Sequence, residues 1–230
     1  MLWFKDAVFS QGGYVLSADL QIEVGKVTAV IGPSGAGKST LLGGIAGFVP
    51  QTRGVLLWAG VNITKLAPAK RPVSMLFQDN NLFPHLTVLQ NVALALSAKL
   101  NPTARDRQRV EDMLKRVGLT GLADRKPAAL SGGQQSRAAL ARALLQDRDV
   151  MLMDEPFSAL GPGLKAEMLD LSVALAKEAG RTVLMVTHDP SDAARVADAI
   201  VGVSPNKAWA PVATRNFLSD PPEAFVEYLG

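Results

Sequence analysis

Apolar residues in this chain fall into short unbroken runs at some places and alternate with polar ones at others. The run VTAVI at Val27–Ile31 is β-branched and uninterrupted, the pattern of a strand buried on both faces. VMLM at Val150–Met153 and TVLMV at Thr182–Val186 repeat it. Ala18–Val24 instead alternates apolar with polar, which predicts an antiparallel strand with one wet face. Gly54–Trp58, before the turn Ala59-Gly60, is a further strand candidate.

Helical patterns lie between these runs. Ser39–Phe48, the mostly apolar Val88–Leu100, the amphipathic Arg105–Arg116, Gln134–Leu145 and Leu164–Ala179 each read as a helix. Ser131 is placed to cap the helix at Gln134. Strands alternating with helices imply a parallel sheet. The expected fold is therefore α/β: a single domain over residues 1–230, with a mixed or parallel sheet and an antiparallel β region near its start. Residues from about 80 to 146 are helical and read as a subdomain inserted into that core. Residues 205–230 give the weakest signal.

Composition narrows this little. At 230 residues, 48% hydrophobic and 20% charged, the chain suits one well-cored soluble domain. No apolar run approaches the roughly 20 residues needed to cross a bilayer. The opening MLWFKD is too short and too soon charged for a secretion signal. With no cysteine there is neither a disulfide framework nor a thiolate metal site, and a reducing cytosol is the expected compartment. The formal charge is +3, but the basic residues are scattered, so charge gives no argument for a nucleic-acid ligand.

Chemistry enters with GPSGAGKS at residues 32–39, which matches the phosphate-loop pattern and sits between an expected strand and an expected helix. Gly32, Gly35 and Gly37 let backbone N–H groups turn inward around phosphate, helped by the helix start. Lys38 is expected to reach the β- and γ-phosphates and Ser39 to hold magnesium, with Pro33, Ser34, Ala36 and Thr40 completing the nucleotide-binding loop. The run ending VMLMDEP carries Asp154 to a strand end, where it can hold magnesium; Glu155, one residue on, is the candidate general base. Between these motifs stands Leu130-Ser131-Gly132-Gly133-Gln134.

A phosphate loop, then LSGGQ, then an Asp-Glu strand end resembles the ATP-binding-cassette (ABC) ATPases, a resemblance that covers residues 1–205. It implies hydrolysis of ATP with Mg2+ and a homodimer of cassettes, in which Leu130, Ser131, Gly132, Gly133 and Gln134 close on nucleotide held by the other copy. It further implies that Gln78 approaches the metal and the attacking water, and that His188 contacts the γ-phosphate. By its spacing to the lysine, Phe9 is expected to stack on adenine, with Tyr14 as the alternative. The distance from Lys38 to Ser131 leaves no room for the coiled coil of a DNA-repair or chromosome ATPase, and a single cassette does not suit the translation-associated type. A transport subunit remains.

Arg71–Val88, Gly43–Phe48, Pro156–Leu160 and Asp192–Arg195 look like the corresponding segments of ATP-binding subunits of bacterial thiamine importers; iron, polyamine and other small-solute importers remain alternatives. The implied partners are integral membrane permease subunits and, indirectly, a periplasmic solute-binding protein, with no nucleic acid. The implied place is the cytoplasmic face of the inner membrane. Leu82 and Phe83 are expected to be partly exposed and to meet the permease. One residue departs from the family pattern: Gly161 stands where Ser-Ala-Leu is usually followed by aspartate, a residue that in related cassettes helps tie this loop to the opposing chain.

Overall fold

A computed structural model describes residues 1–98 and 101–230; the last two positions of the expected helix Val88–Leu100 lie outside the described residues. The strands are β1 (Leu2–Gln11), β2 (Tyr14–Ile22), β3 (Val27–Ile31), β4 (Gln51–Trp58), β5 (Val61–Asn62), β6 (Val73–Leu76), β7 (Val150–Asp154), β8 (Thr182–Val186), β9 (Ala199–Ser204), β10 (Lys207–Ala208) and β11 (Val212–Ala213). The helices are α1 (Lys38–Ala46), α2 (Val88–Ala93), α3 (Ala104–Arg116), α4 (Gly132–Leu145), α5 (Pro162–Glu178), α6 (Pro190–Val196), α7 (Thr214–Ser219) and α8 (Glu223–Leu229).

The strands join in the order β5-β4-β1-β2-β10-β9-β3-β8-β7-β6, with β11 beside β9. From β9 to β6 every neighbour is parallel. The three apolar runs form β3, β8 and β7, and all their apolar side chains are buried, as expected of strands covered on both faces. The carboxyl ends of these parallel strands therefore open on one edge, the place where such sheets hold ligands. At the other side β1 lies antiparallel between β2 and β4. Its register slips between Phe4 and Ala7, where Asp6 takes φ 45°. Gly54 lies against this bulge with φ +76°, and a Cβ there would come within 2.2 Å of the Asp6 carbonyl.

Two apolar clusters cover the parallel sheet. One packs α1 between both sheet regions through Leu41, Leu42 and Ile45. The other joins Met151, Met153 and Val183 to the inserted helices, where Val110 and Leu114 of α3 meet Val92 of α2 and Leu140 and Leu144 of α4. Arg71, almost wholly buried, holds the end of α1: its guanidinium donates to the carbonyls of Gly44 (2.6 Å), Ile45 (2.7 Å), Leu66 (3.0 Å) and Thr64 (2.9 Å). The first two belong to the last turn of α1, where a helix leaves carbonyls short of partners, and the other two to the loop after β5, so Arg71 ties that loop to the helix end. Residues 205–230, opaque in the sequence, supply β10, β11, α7 and α8 and a third cluster centred on Phe217 and Phe225.

Candidate functional site

Four loops leave the shared strand edge, and each carries a residue singled out from the sequence. Gly32 follows β3, Gln78 follows β6, Asp154 ends β7 with Glu155 beyond it, and His188 follows β8. The pairings Leu76↔Met153 and Asp154↔Val186 bring these ends level. Helix α1 begins at Lys38, one residue before the expected start, behind Gly37 in the left-handed conformation and with no side-chain cap. Its first N–H groups are thus left for an anion, in a loop whose glycines allow the turn.

Inside this loop the Lys38 ammonium donates to the carbonyls of Gly32 (2.8 Å) and Pro33 (2.9 Å). Burial lowers its pKa, and the charges of Glu155 and Asp154 work the other way. Asp154 shows the converse: burial and then the Glu155 charge raise its pKa, while the Ser39 hydrogen bond and the Lys38 charge lower it in part. The Ser39 hydroxyl donates to Asp154 Oδ1 at 3.5 Å. His188 Nδ1 lies 3.2 Å from Glu155 Oε2. Glu155 (φ 43°) and Phe157 (φ 66°) adopt left-handed backbone without being glycine, strain of the kind that collects at working sites. A separate surface cavity of about 490 Å3, lined by Asp6, Asp19, Arg53, Lys207 and Trp209, contains none of these groups.

The expectation for Phe9 is corrected. Its side chain has 0% exposure, meets Phe4 edge-on at 6.3 Å, and lies where a Cβ on Gly44 would sit. A ring enclosed by β1 and α1 offers no face to a base; truncating it would cost about 3–5 kcal/mol of core packing. Tyr14 is the aromatic at the loop. Its hydroxyl donates to the Ala36 carbonyl at 2.6 Å and accepts from the Asn206 N–H at 3.1 Å, and its ring lies against Gly37.

The turn at Ser131 starts α4 with a capping box: the Ser131 hydroxyl accepts from the Gln134 N–H, and the Gln134 side chain accepts from the Ser131 N–H. Ser131 and Gly132 are exposed, Gln134 is half-buried, and Leu130 is buried. Gly133 has a reason within this chain, since a Cβ there would come within 2.7 Å of the Leu164 side chain. The structure does not bring this turn into hydrogen-bonding contact with the phosphate loop; among the described residues the Ser131 and Gln134 side chains each accept from the other's backbone N–H. Arg142, further along α4, does reach the site, donating to the carbonyls of Asn81 (2.7 Å) and Asn80 (3.0 Å) just beyond exposed Gln78. Nothing in the sequence singles out that arginine.

Past Gln78, buried Asn91 shapes the following loop: its amide accepts from the Phe83 N–H and donates to the carbonyls of Phe83, Leu86 and Thr87. The loop holds Phe83 46% exposed, with Leu82 half-buried beneath.

Comparison with known proteins gives the same frame. Full-length relatives named thiamine import ATP-binding protein ThiQ include one from Ruegeria sp. (strain TM1040), 53% identical over 230 residues and all of both chains. Another, from Brucella suis biovar 1, is 47% identical over 227 residues, 98% of this chain and 94% of its own. Among solved structures, the ATP-binding cassette MJ0796, a dimer in a post-hydrolysis state with ADP and Pi, matches with a TM-score of 0.79 and 30% identity, covering 94% of this chain and 99% of its own. The ADP conformation of MJ1267, a cassette of an ABC transporter, matches with a TM-score of 0.88 and 26% identity over 100% of this chain and 98% of its own. The ABC transporter family model matches residues 15–158, from Tyr14's neighbour through the phosphate loop to the Asp154-Glu155 strand end, and the chain belongs to that family.

Proposed function

We propose that this chain is the ATP-hydrolysing subunit of a bacterial thiamine importer, working as a pair of cassettes on separate permease subunits at the inner face of the cell membrane. The observation that carries the hydrolytic reading is the convergence of Lys38, Ser39, Asp154, Glu155 and His188 on one sheet edge. Lys38 gives up its two carbonyl partners for the β- and γ-phosphates, and the uncapped N–H groups of α1 hold the phosphate oxygens. Ser39 and Asp154, 3.5 Å apart, are a hydroxyl and a carboxylate close enough to serve one hard cation, and they would hold Mg2+. Mg2+ held there would neutralise phosphate charge. Glu155 orients and deprotonates the attacking water, and His188 holds Glu155 on one side and the γ-phosphate on the other. Gln78 enters from β6. Tyr14, in place of Phe9, is the platform for adenine.

The signature turn explains the pairing. Ser131 and Gly132 face outward from the chain that carries them, so a nucleotide they touch belongs to a second copy. Phe83, presented on a loop fixed by Asn91, is the apolar contact offered to a permease. Thiamine as the solute is supported by the full-length relatives named for its import.

Deleting the gene in its own host and measuring uptake of labelled thiamine, iron and polyamine tests the reading. Thiamine uptake should fall, return with the wild-type gene and stay low with E155Q. Unchanged thiamine uptake with loss of another solute would transfer the assignment to that solute.

A further inference from the structure

Helix α8 is fixed to the sheet at the phosphate loop. Phe225, fully buried, fills the notch left by Gly202 of β9, where a Cβ would come within 2.4 Å of its ring. Gly202 pairs with Ile31, the residue before Gly32. Phe217 (5.3 Å) and Trp209 (6.1 Å) close on the same ring. Three residues on, and so on the same helix face, Tyr228 points its hydroxyl between two loops. That hydroxyl donates to the backbone carbonyl of His188 at 3.0 Å. Burial raises the phenol's pKa, and the Gly32 backbone, hydrogen-bonding toward the same oxygen, lowers it in part; the charges of Asp189 and Glu155 raise it further.

The contacts form a chain. Lys38 donates to the Gly32 carbonyl, Gly32 follows Ile31, the partner of Gly202 on which Phe225 seats α8, Tyr228 of α8 donates to the His188 carbonyl, and the His188 ring meets Glu155. The residue that senses phosphate and the residue that activates water are thus linked through a phenol neither motif contains. We propose that Tyr228 is a positioning residue that fixes the His188 loop relative to the phosphate loop, so that His188 and Glu155 meet the γ-phosphate in register. Tyr228 has no reacting atom of its own; it acts through His188. The packing of α8 rests on Phe225, so the hydroxyl can be removed without removing the helix's anchor.

This inference rests on the ATPase reading above, and the test separates the two. ATP turnover, binding of a fluorescent ATP analogue and thermal melting are measured for wild type, E155Q and Y228F. In Y228F kcat should fall about three- to tenfold, the rate equivalent of one net hydrogen bond, with KM and analogue affinity within about twofold and Tm lowered by no more than about 6 °C, the stability equivalent of that same bond. Unchanged kcat overturns the proposal. So does a fall in kcat matched by weaker nucleotide binding or by a Tm drop beyond about 6 °C, since Tyr228 would then be a strut for the loop or the fold. Wild-type turnover no greater than that of E155Q would overturn the ATPase reading, and this proposal with it.

Discussion

Replacing Gly161 with aspartate should make the protein both more stable and better coupled. Gly161 is the N-cap of α5, with φ −64° and ψ 155°, and no side chain caps the helix there. That backbone is open to any L-residue, and a Cβ at Gly161 would meet nothing within 4 Å. No left-handed backbone ties this position to glycine. An aspartate at this N-cap gains a few tenths of a kcal/mol over glycine from side-chain capping, about 0.3–1 from its charge at the helix start, and about 0.4–1 from a less flexible unfolded chain. The sum is about 1–2 kcal/mol, which for a domain of this size raises Tm by roughly 2–8 °C. Differential scanning fluorimetry of G161D without nucleotide reads this directly. The added carboxylate also supplies the acceptor that related cassettes turn toward the opposing chain, so ATPase rate or cooperativity should rise. A Tm below wild type would refute the capping argument. A stabilised G161D with unchanged rate and cooperativity would refute the coupling argument.

Lys38→Ala removes the ammonium that now donates to the Gly32 and Pro33 carbonyls and, on the proposed function, turns to the phosphates, so ATP binding should weaken by about ten- to a hundredfold, read by titration with a fluorescent analogue; unchanged affinity would remove Lys38 from its role. Asp154→Asn should lose Mg-ATP hydrolysis yet melt higher than wild type without nucleotide at pH 7. The sign follows from the raised pKa: an acid disfavoured in its ionised form by folding costs stability above its unfolded pKa, most fully above the folded value, and nothing well below both. The gain should therefore shrink as pH falls toward the ordinary carboxylate value of 3.8, and melts across that range would contradict it if the gain stayed constant or were absent at pH 7.

What could be read from the sequence was what depends on neighbours in the chain. VTAVI, VMLM and TVLMV became β3, β7 and β8 because an unbroken apolar run too short for a helix suits a strand covered on both faces. Ser131 was legible as a cap because its Gln134 partner is three residues away. The same helix begins at Gly132, two residues before the expected Gln134, since paired glycines read as a turn until packing under Leu164 is seen. Phe9 was misjudged because its surroundings are set by Gly44 on α1, which no local pattern near Phe9 reveals. Tyr228 and Arg142 were missed for the same reason: each acts on the carbonyl of a distant loop, and backbone acceptors leave no trace in side-chain motifs.

On the proposed function, Ser131 and Gly132 complete a nucleotide site in a second copy of this chain. Sedimentation velocity of E155Q, which should bind Mg-ATP without turning it over, tests this most directly. The expected result is a monomer without nucleotide and a dimer of about twice 24.4 kDa at saturating Mg-ATP, returning to monomer when Ser131 is also replaced by arginine. A species that remains monomeric with ATP demonstrably bound would rule out a site shared between two copies.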